Sequence, residues 1–162
     1  MRVGLARYQG THSSAFIDCC ADPAAFAFLR KSFPDAPTPA DLFERFLTSG
    51  GSPLPQTRVW AIVTNDLTFA GHLELKTTDK TKPAEGELVA LVARAFRRTG
   101  VASAAVALLL RSPHLAPEFS SLLAVCRATN EASLRLVRRS GFASLPDRSS
   151  PEALFFGYRW SH

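Results

Sequence analysis

The stretch from Gly86 to Leu110, GELVALVARAFRRTGVASAAVALLL, decides how the rest of the chain is read. Its first part, Glu87-Leu88-Val89-Ala90-Leu91-Val92-Ala93, is apolar on both sets of alternating positions after the opening glutamate. A short apolar run of that kind is the pattern of a central strand covered on both faces. The last part places Val101, Ala104, Ala105 and Leu108 at i, i+3, i+4 and i+7, which is one face of a helix. The spacing predicts a helix over 101–111. Between the two lies Arg97-Arg98-Thr99-Gly100-Val101-Ala102. A strand that runs through arginine and glycine into a helix start builds an anion site. The first amides of the helix have no internal acceptors, and the helix dipole favours negative charge there. Gly100 lets backbone approach a ligand closely, and Ala102 keeps the helix start small.

Composition bounds the rest. The chain has 162 residues, which fits a single domain over 1–162 with a core of its own. Hydrophobic residues at 46% and charged residues at 20% exclude a disordered chain. The formal charge is +5 (19 basic against 14 acidic side chains), but the basic residues are scattered and not interleaved with aromatics. Such a surface suits a polyanionic small molecule as well as nucleic acid. Arg135, Arg138 and Arg139, at i, i+3 and i+4, make the strongest case for a nucleic-acid face and are read as solvated surface. The three cysteines are Cys19, Cys20 and Cys126, with no C-x-x-C, so neither a disulfide framework nor a metal site is expected. No apolar run approaches the roughly 20 residues needed to span a bilayer. The first residues lack the apolar core of a signal peptide, so the expectation is cytoplasmic, with no membrane partner.

Outward from the central stretch the pattern is mixed. An edge strand is expected within 1–8, then a helical segment over 15–29 broken near Asp22-Pro23, with Asp22 as a helix cap. Thr38-Pro39 starts a helix over 40–47, which Ser49-Gly50-Gly51-Ser52-Pro53 ends. Strands follow over 59–63 and 67–75 around an Asn65-Asp66 turn, then a polar loop over 77–86. After the helix at 101–111, a loop is expected over 112–121, a strand over 122–126, a helix over 130–140 stopped by Gly141-Phe142, and a final strand over 153–160. This is a mixed α/β sheet with flanking helices.

Two motifs in this order carry a resemblance. Arg97-x-x-Gly100-x-Ala102 is similar to the Arg/Gln-x-x-Gly-x-Gly/Ala turn of the GCN5-related N-acetyltransferases (GNAT). Asn130-x-x-Ser133, followed by seven residues and Gly141-Phe142, resembles their second motif and lies one strand further on. The Asn-x-x-Ser variant and the glutamate opening the central strand look most like the ribosomal-protein N-terminal acetyltransferases. The resemblance is firmest between Val59 and Phe142. It implies an acyl-coenzyme A N-acyltransferase fold, with a mostly antiparallel sheet splayed at the cofactor site. It also implies acetyl-coenzyme A as cosubstrate, with no metal, and an amine as acceptor. By the same resemblance the pantetheine arm pairs with backbone near Leu91, Val92 and Ala93. The pyrophosphate sits on the turn formed by Arg97, Arg98, Thr99, Gly100, Val101 and Ala102, and Asn130 and Ser133 approach the arm.

Acetyl transfer needs a neutral amine and a proton for the leaving thiolate. Glu87, at the polar start of an apolar strand, is the candidate base. His72 and Glu74, at i and i+2 on one strand face, are the runners-up for the base and candidates for binding the acceptor, with plain surface as the other reading. Many family members carry a tyrosine seven residues after the asparagine; here that residue is Val137, which has no proton to give. Ser133, one helical turn earlier, is the candidate substitute, acting through a hydrogen bond. Two readings stay beside the enzyme: a catalytically weak acyl-coenzyme A binder, and a basic nucleic-acid module. The acceptor, a protein N-terminus or a small molecule, is not legible, and the final strand is a candidate to pair with a second subunit.

Overall fold

A computed structural model describes residues 2–48, 57–77 and 84–160. In chain order its elements are β1 (Val3–Ala6), α1 (Ser13–Cys19), α2 (Pro23–Arg30), α3 (Pro39–Thr48), β2 (Thr57–Thr64), β3 (Phe69–Thr77) and β4 (Ala84–Val92). They continue with α4 (Val101–Leu110), β5 (Phe119–Arg127), α5 (Glu131–Arg139), β6 (Ala143–Ser144) and β7 (Ala153–Tyr158). The strands form one seven-stranded sheet, ordered β1-β2-β3-β4-β5-β7-β6. Every neighbouring pair is antiparallel except β4 and β5. This is the mixed, mostly antiparallel sheet with flanking helices that the sequence leads one to expect. Among the described residues no helix is long and apolar enough to cross a membrane.

Local chemistry explains the helix ends. The Asp22 carboxylate accepts the Ala24 N–H at 3.0 Å, and Pro23 opens α2, which splits the helical segment in two as expected. Thr38 and Asp41 cap α3 reciprocally: the Asp41 N–H donates to the Thr38 hydroxyl, and the Asp41 carboxylate accepts the Thr38 N–H. At the end of α5, Gly141 takes φ +84°, the Gly141 N–H donates to the Arg138 carbonyl, and the Phe142 N–H donates to the Val137 carbonyl. That double bond pattern closes the helix and turns Phe142 back into the core.

The two faces of the sheet differ. One packs aliphatic residues, including Leu73, Leu75, Leu88 and Leu122, against Val101, Ala105, Val106 and Leu109 of α4 and Leu134 and Val137 of α5. The other packs Val63, Phe69 and Val89 against an aromatic cluster of Phe16 from α1, Phe43 and Phe46 from α3, and Tyr8 and Phe33 from the segments after β1 and α2. Leu88 and Val89 are buried on opposite faces, so β4 is covered on both sides, as its sequence predicts.

Boundaries move where the pattern is weak. Leu67 is not in a strand: it sits in the hairpin turn, exposed, at φ +63°. β3 starts at Phe69 and runs to Thr77, and β4 starts at Ala84, so both ends of the expected 77–86 loop are strand. β5 begins at Phe119, inside the expected 112–121 loop, because Phe119 is buried and registers with Ala84 of β4. The short β6 has no sequence signal of its own and is held by pairing to β7. The helix stop at 49–53 and the middle of the loop, 78–83, lie outside the described residues.

Candidate cofactor and acceptor site

β4 and β5 run side by side only briefly. Their pairing covers Ala84↔Phe119 to Glu87↔Leu123. Beyond Glu87, β4 continues to Val92 on β3 alone, while β5 continues to Arg127 on β7. The two parallel strands splay at that point. The Ala93 N–H donates to the Ala70 carbonyl at 2.9 Å, and the Leu91 carbonyl lies against Gly71, so both face β3. By strand alternation the backbone groups of Ala90 and Val92 face the opposite way, into the gap. The Leu91 and Ala93 side chains lie with the aromatic cluster, and Val92 lies with the aliphatic one. Of the three residues expected to meet the pantetheine arm, Val92 is the one whose backbone faces the splay.

Directly after β4 the chain makes a short 3-10 turn at Arg94–Phe96 and then enters α4. Arg98 has φ +66° and Gly100 φ +86°. A positive φ at arginine is uncommon and costs free energy. Two such residues close together turn successive N–H groups to one side, into a concave anion-binding shape. The Thr99 hydroxyl donates to the Phe96 carbonyl at 2.6 Å, which pins the turn. The first helical bond runs from the Ala104 N–H to the Gly100 carbonyl, leaving the amides of Val101, Ala102 and Ser103 without intrahelical acceptors. The first turn of α4 carries no acidic residue, and Arg97 and Arg98 are exposed beside it. These residues fit the pyrophosphate of coenzyme A by chemistry: unpaired amides, a helix N-terminus and two cations in one place.

On the other side of the splay, Asn130 caps α5. Its carboxamide oxygen accepts the Ser133 N–H at 3.1 Å. Ser133 is half-buried, and Val137, one turn further on, is buried in the aliphatic core.

Glu87 sits where the strands part, half-buried, opposite Lys76 on β3 and Leu123 on β5. Its neighbour on the same face, Glu85, takes both guanidinium nitrogens of Arg148, at 3.0 and 3.2 Å. No ion pair among the described residues engages Glu87.

His72 and Glu74 share a face of β3, as expected, but neither has any exposed surface. They lie inside a polar chain of four residues. The Tyr8 hydroxyl is 2.6 Å from His72 Nδ1, His72 Nε2 is 3.3 Å from Glu74 Oε2, and the Ser32 hydroxyl donates to Glu74 Oε1 at 2.6 Å. The His72 ring stacks on Phe46 at 5.0 Å. Burial pushes the Tyr8 hydroxyl well above its ordinary pKa, with Cys20, Cys19 and Glu74 adding in the same direction, so Tyr8 stays protonated beside His72. In this conformation neither His72 nor Glu74 meets solvent. The reason is three-dimensional: α1 to α3 close over that part of β3.

Nothing in the local sequence marks Tyr8, Ser32 or Arg148 as part of these contacts. Tyr8 follows an unremarkable edge strand, and its partner is 64 positions away. The three cysteines are free and buried, and burial pushes the Cys20 thiol up to about 12.

Comparison with known proteins now decides the family. A family profile described as "Acetyltransferase (GNAT) domain" matches residues 2–143. The chain belongs to the GNAT acetyltransferase family. No curated protein sequence matches it. Among solved structures, RimL, the ribosomal L7/L12 alpha-N-protein acetyltransferase in complex with coenzyme A, superposes with a TM-score of 0.70 at 16% identity, covering 98% of this chain and 94% of that one. An acetyl transferase that modifies the N-terminal serine of ribosomal protein L7/L12 in Salmonella typhimurium gives 0.71 at 14% identity, with 99% and 96% coverage. The Microcin C7 self immunity acetyltransferase MccE, in complex with acetyl-CoA and AMP, gives 0.72 at 11% identity, with 98% and 93% coverage. At these identities the likeness is one of fold, and it includes the ribosomal-protein acetyltransferases to which the GNAT motifs pointed.

Proposed function

We propose that this GNAT domain transfers the acetyl group of acetyl-coenzyme A to a primary amine by direct attack within a ternary complex. One observation carries the reading. β5 leaves β4 after Glu87, so the open edge of β4 from Leu88 to Val92 leads into the turn whose amides start α4. An extended arm ending in phosphates suits both.

Bound there, acetyl-coenzyme A supplies an activated acyl carbonyl and a thiolate leaving group. The chain supplies the rest. The amides from Arg98 to Ala102, with Arg97, hold the phosphates, and Val92 with its neighbours Leu91 and Ala93 aligns the arm. Glu87, half-buried at the parting of the strands, accepts the proton that the amine loses. The pairing of Glu85 with Arg148 supports this choice, because it leaves Glu87 as the carboxylate at the splay. Asn130, fixed as a helix cap, and Ser133 lie on the α5 side, where Ser133 hydrogen-bonds the departing sulfur. His72 and Glu74 contribute to acceptor binding from below, by fixing Tyr8 and Ser32 and so the helices over that side. The L7/L12-modifying neighbours favour a protein N-terminus as acceptor, and a small amine is the other class.

The buried Val137 favours a second reading, an acyl-coenzyme A binder with little turnover. Two measurements separate these. The melting temperature with acetyl-coenzyme A at a hundred times its dissociation constant should reflect about 2.7 kcal/mol of added stability, a shift of roughly 5–10 °C. Gly100→Glu should abolish that shift. Release of free thiol on adding amine then marks the enzyme, and a shift without release marks the binder. No shift at millimolar ligand sinks both.

A further inference from the structure

The Arg97 side chain folds back onto the strand that leads into its own turn. Its Nε–H donates to the Val92 carbonyl at 3.2 Å. That carbonyl faces the splay, since the Leu91 carbonyl and the Ala93 N–H beside it face β3. Arg97 thus engages a backbone acceptor on the edge where an amide of the pantetheine arm would pair. The same side chain is exposed and heads the segment whose amides are gathered by the positive φ of Arg98 and Gly100.

We propose that Arg97 exchanges partners: its guanidinium engages either the Val92 carbonyl or the phosphates, and it yields that carbonyl to the pantetheine arm as it passes to the phosphates. The proposal rests on the cofactor placement given above. The direction follows from bond strength. The guanidinium–carbonyl bond has one charged partner and the guanidinium–phosphate bond has two, so the phosphate adds a Coulombic attraction, and a bidentate geometry, that the neutral carbonyl lacks. The consequence is a coupling within one ligand: the phosphate end clears the strand edge for the thioester end.

The exchange makes opposite predictions for two ligands. S-acetylpantetheine carries the thioester arm without phosphates, so for it Arg97 is only a competitor. Affinities of wild type and Arg97→Ala are to be measured by calorimetry for acetyl-coenzyme A and by ligand-observed NMR for S-acetylpantetheine. In the variant, acetyl-coenzyme A should bind about 10–100-fold more weakly, and S-acetylpantetheine about 2–10-fold more tightly. Unchanged affinity for S-acetylpantetheine overturns the exchange and leaves Arg97 a phosphate cation only. Loss of both affinities overturns it in favour of a role in shaping the turn. The unliganded melting temperature should stay within about 2 °C of wild type, as for an exposed side chain. Wild type that binds neither ligand overturns the cofactor placement itself, and the exchange with it.

Discussion

Against α4 the sheet carries aliphatic side chains, and the functional groups at that end are backbone: amides of a turn, a strand edge, a helix start. Against α1, α2 and α3 it meets phenylalanine rings around Tyr8, His72, Glu74 and Ser32, and the groups are side chains brought from three separate places: the segments after β1 and after α2, and β3. The first arrangement is local in the chain. The second exists only when β1, the helices and β3 are assembled. The two should respond differently to mutation: the first should lose ligand without losing stability, and the second should lose stability first.

Phe16→Ala gives the largest expected effect. Phe16 has no exposed surface and makes edge contacts with Tyr8 and Phe46. Its truncation should cost about 3–5 kcal/mol in denaturant unfolding. The stabilisation that acetyl-coenzyme A adds should persist, because the amide turn belongs to the other arrangement. If the ligand effect vanished while the fold survived, the two sides would be coupled and the contrast drawn here would fail.

Ser32→Ala probes the polar chain itself. It removes the hydroxyl that donates to Glu74 Oε1 and leaves a buried carboxylate oxygen without that donor. The expected loss is about 1–3 kcal/mol. Ser32→Thr, which keeps the hydroxyl, should recover part of it. A loss below about 0.5 kcal/mol, the scale of an ordinary surface change, would show that water replaces the hydroxyl freely.

Gly100→Ala acts on the other side. At φ +86° the position is in the left-handed region, and a Cβ there meets nothing within 4 Å. The cost is therefore conformational alone, about 1 kcal/mol, and Gly100→Asn should cost less, since asparagine tolerates that region. Equal losses for the two variants would mean that a contact, not the backbone angle, requires the glycine.

The same contrast explains what the sequence disclosed. The turn, its glycine, the start of α4 and the Asn130 cap are encoded within a few consecutive residues, so spacing alone revealed them. The parting of β4 from β5 was inferred from likeness and not from pattern, because pairing register is a property of two distant segments. His72 and Glu74 were read correctly as sharing a face, since alternation is local. Their burial was not legible: it depends on how three helices close over β3, and an i, i+2 pair of polar residues looks the same under a lid or in water. Arg148 meeting Glu85 across 63 positions left no local sign at all.

His12 offers the smallest effect and the finest test of how the aromatic side is built. It is buried beside Tyr8 and Phe69. Its Nδ1 accepts the Gln9 N–H at 3.2 Å, while Nε2 makes no hydrogen bond of good geometry among the described residues, although the Leu67 backbone lies near enough to favour the protonated ring. Burial lowers its pKa, with the Leu67 backbone opposing in part. A histidine whose folded pKa lies below its unfolded value of about 6.5 binds fewer protons folded than unfolded between the two. Stability should then rise with pH through that window and be complete above about 6.5. On acidification it should fall as the unfolded chain takes up the proton, levelling once the folded histidine is protonated too. Other groups titrate in the same range, so the quantity to measure is a difference: unfolding free energy at pH 7.5 minus that at pH 5.5, for wild type and for His12→Asn. Asparagine keeps an acceptor for the Gln9 N–H, and any packing loss it causes is the same at both pH values. The wild-type difference should exceed that of the variant. Equal differences would mean that the helices admit water to His12, and that the aromatic side is wetter than its packing implies.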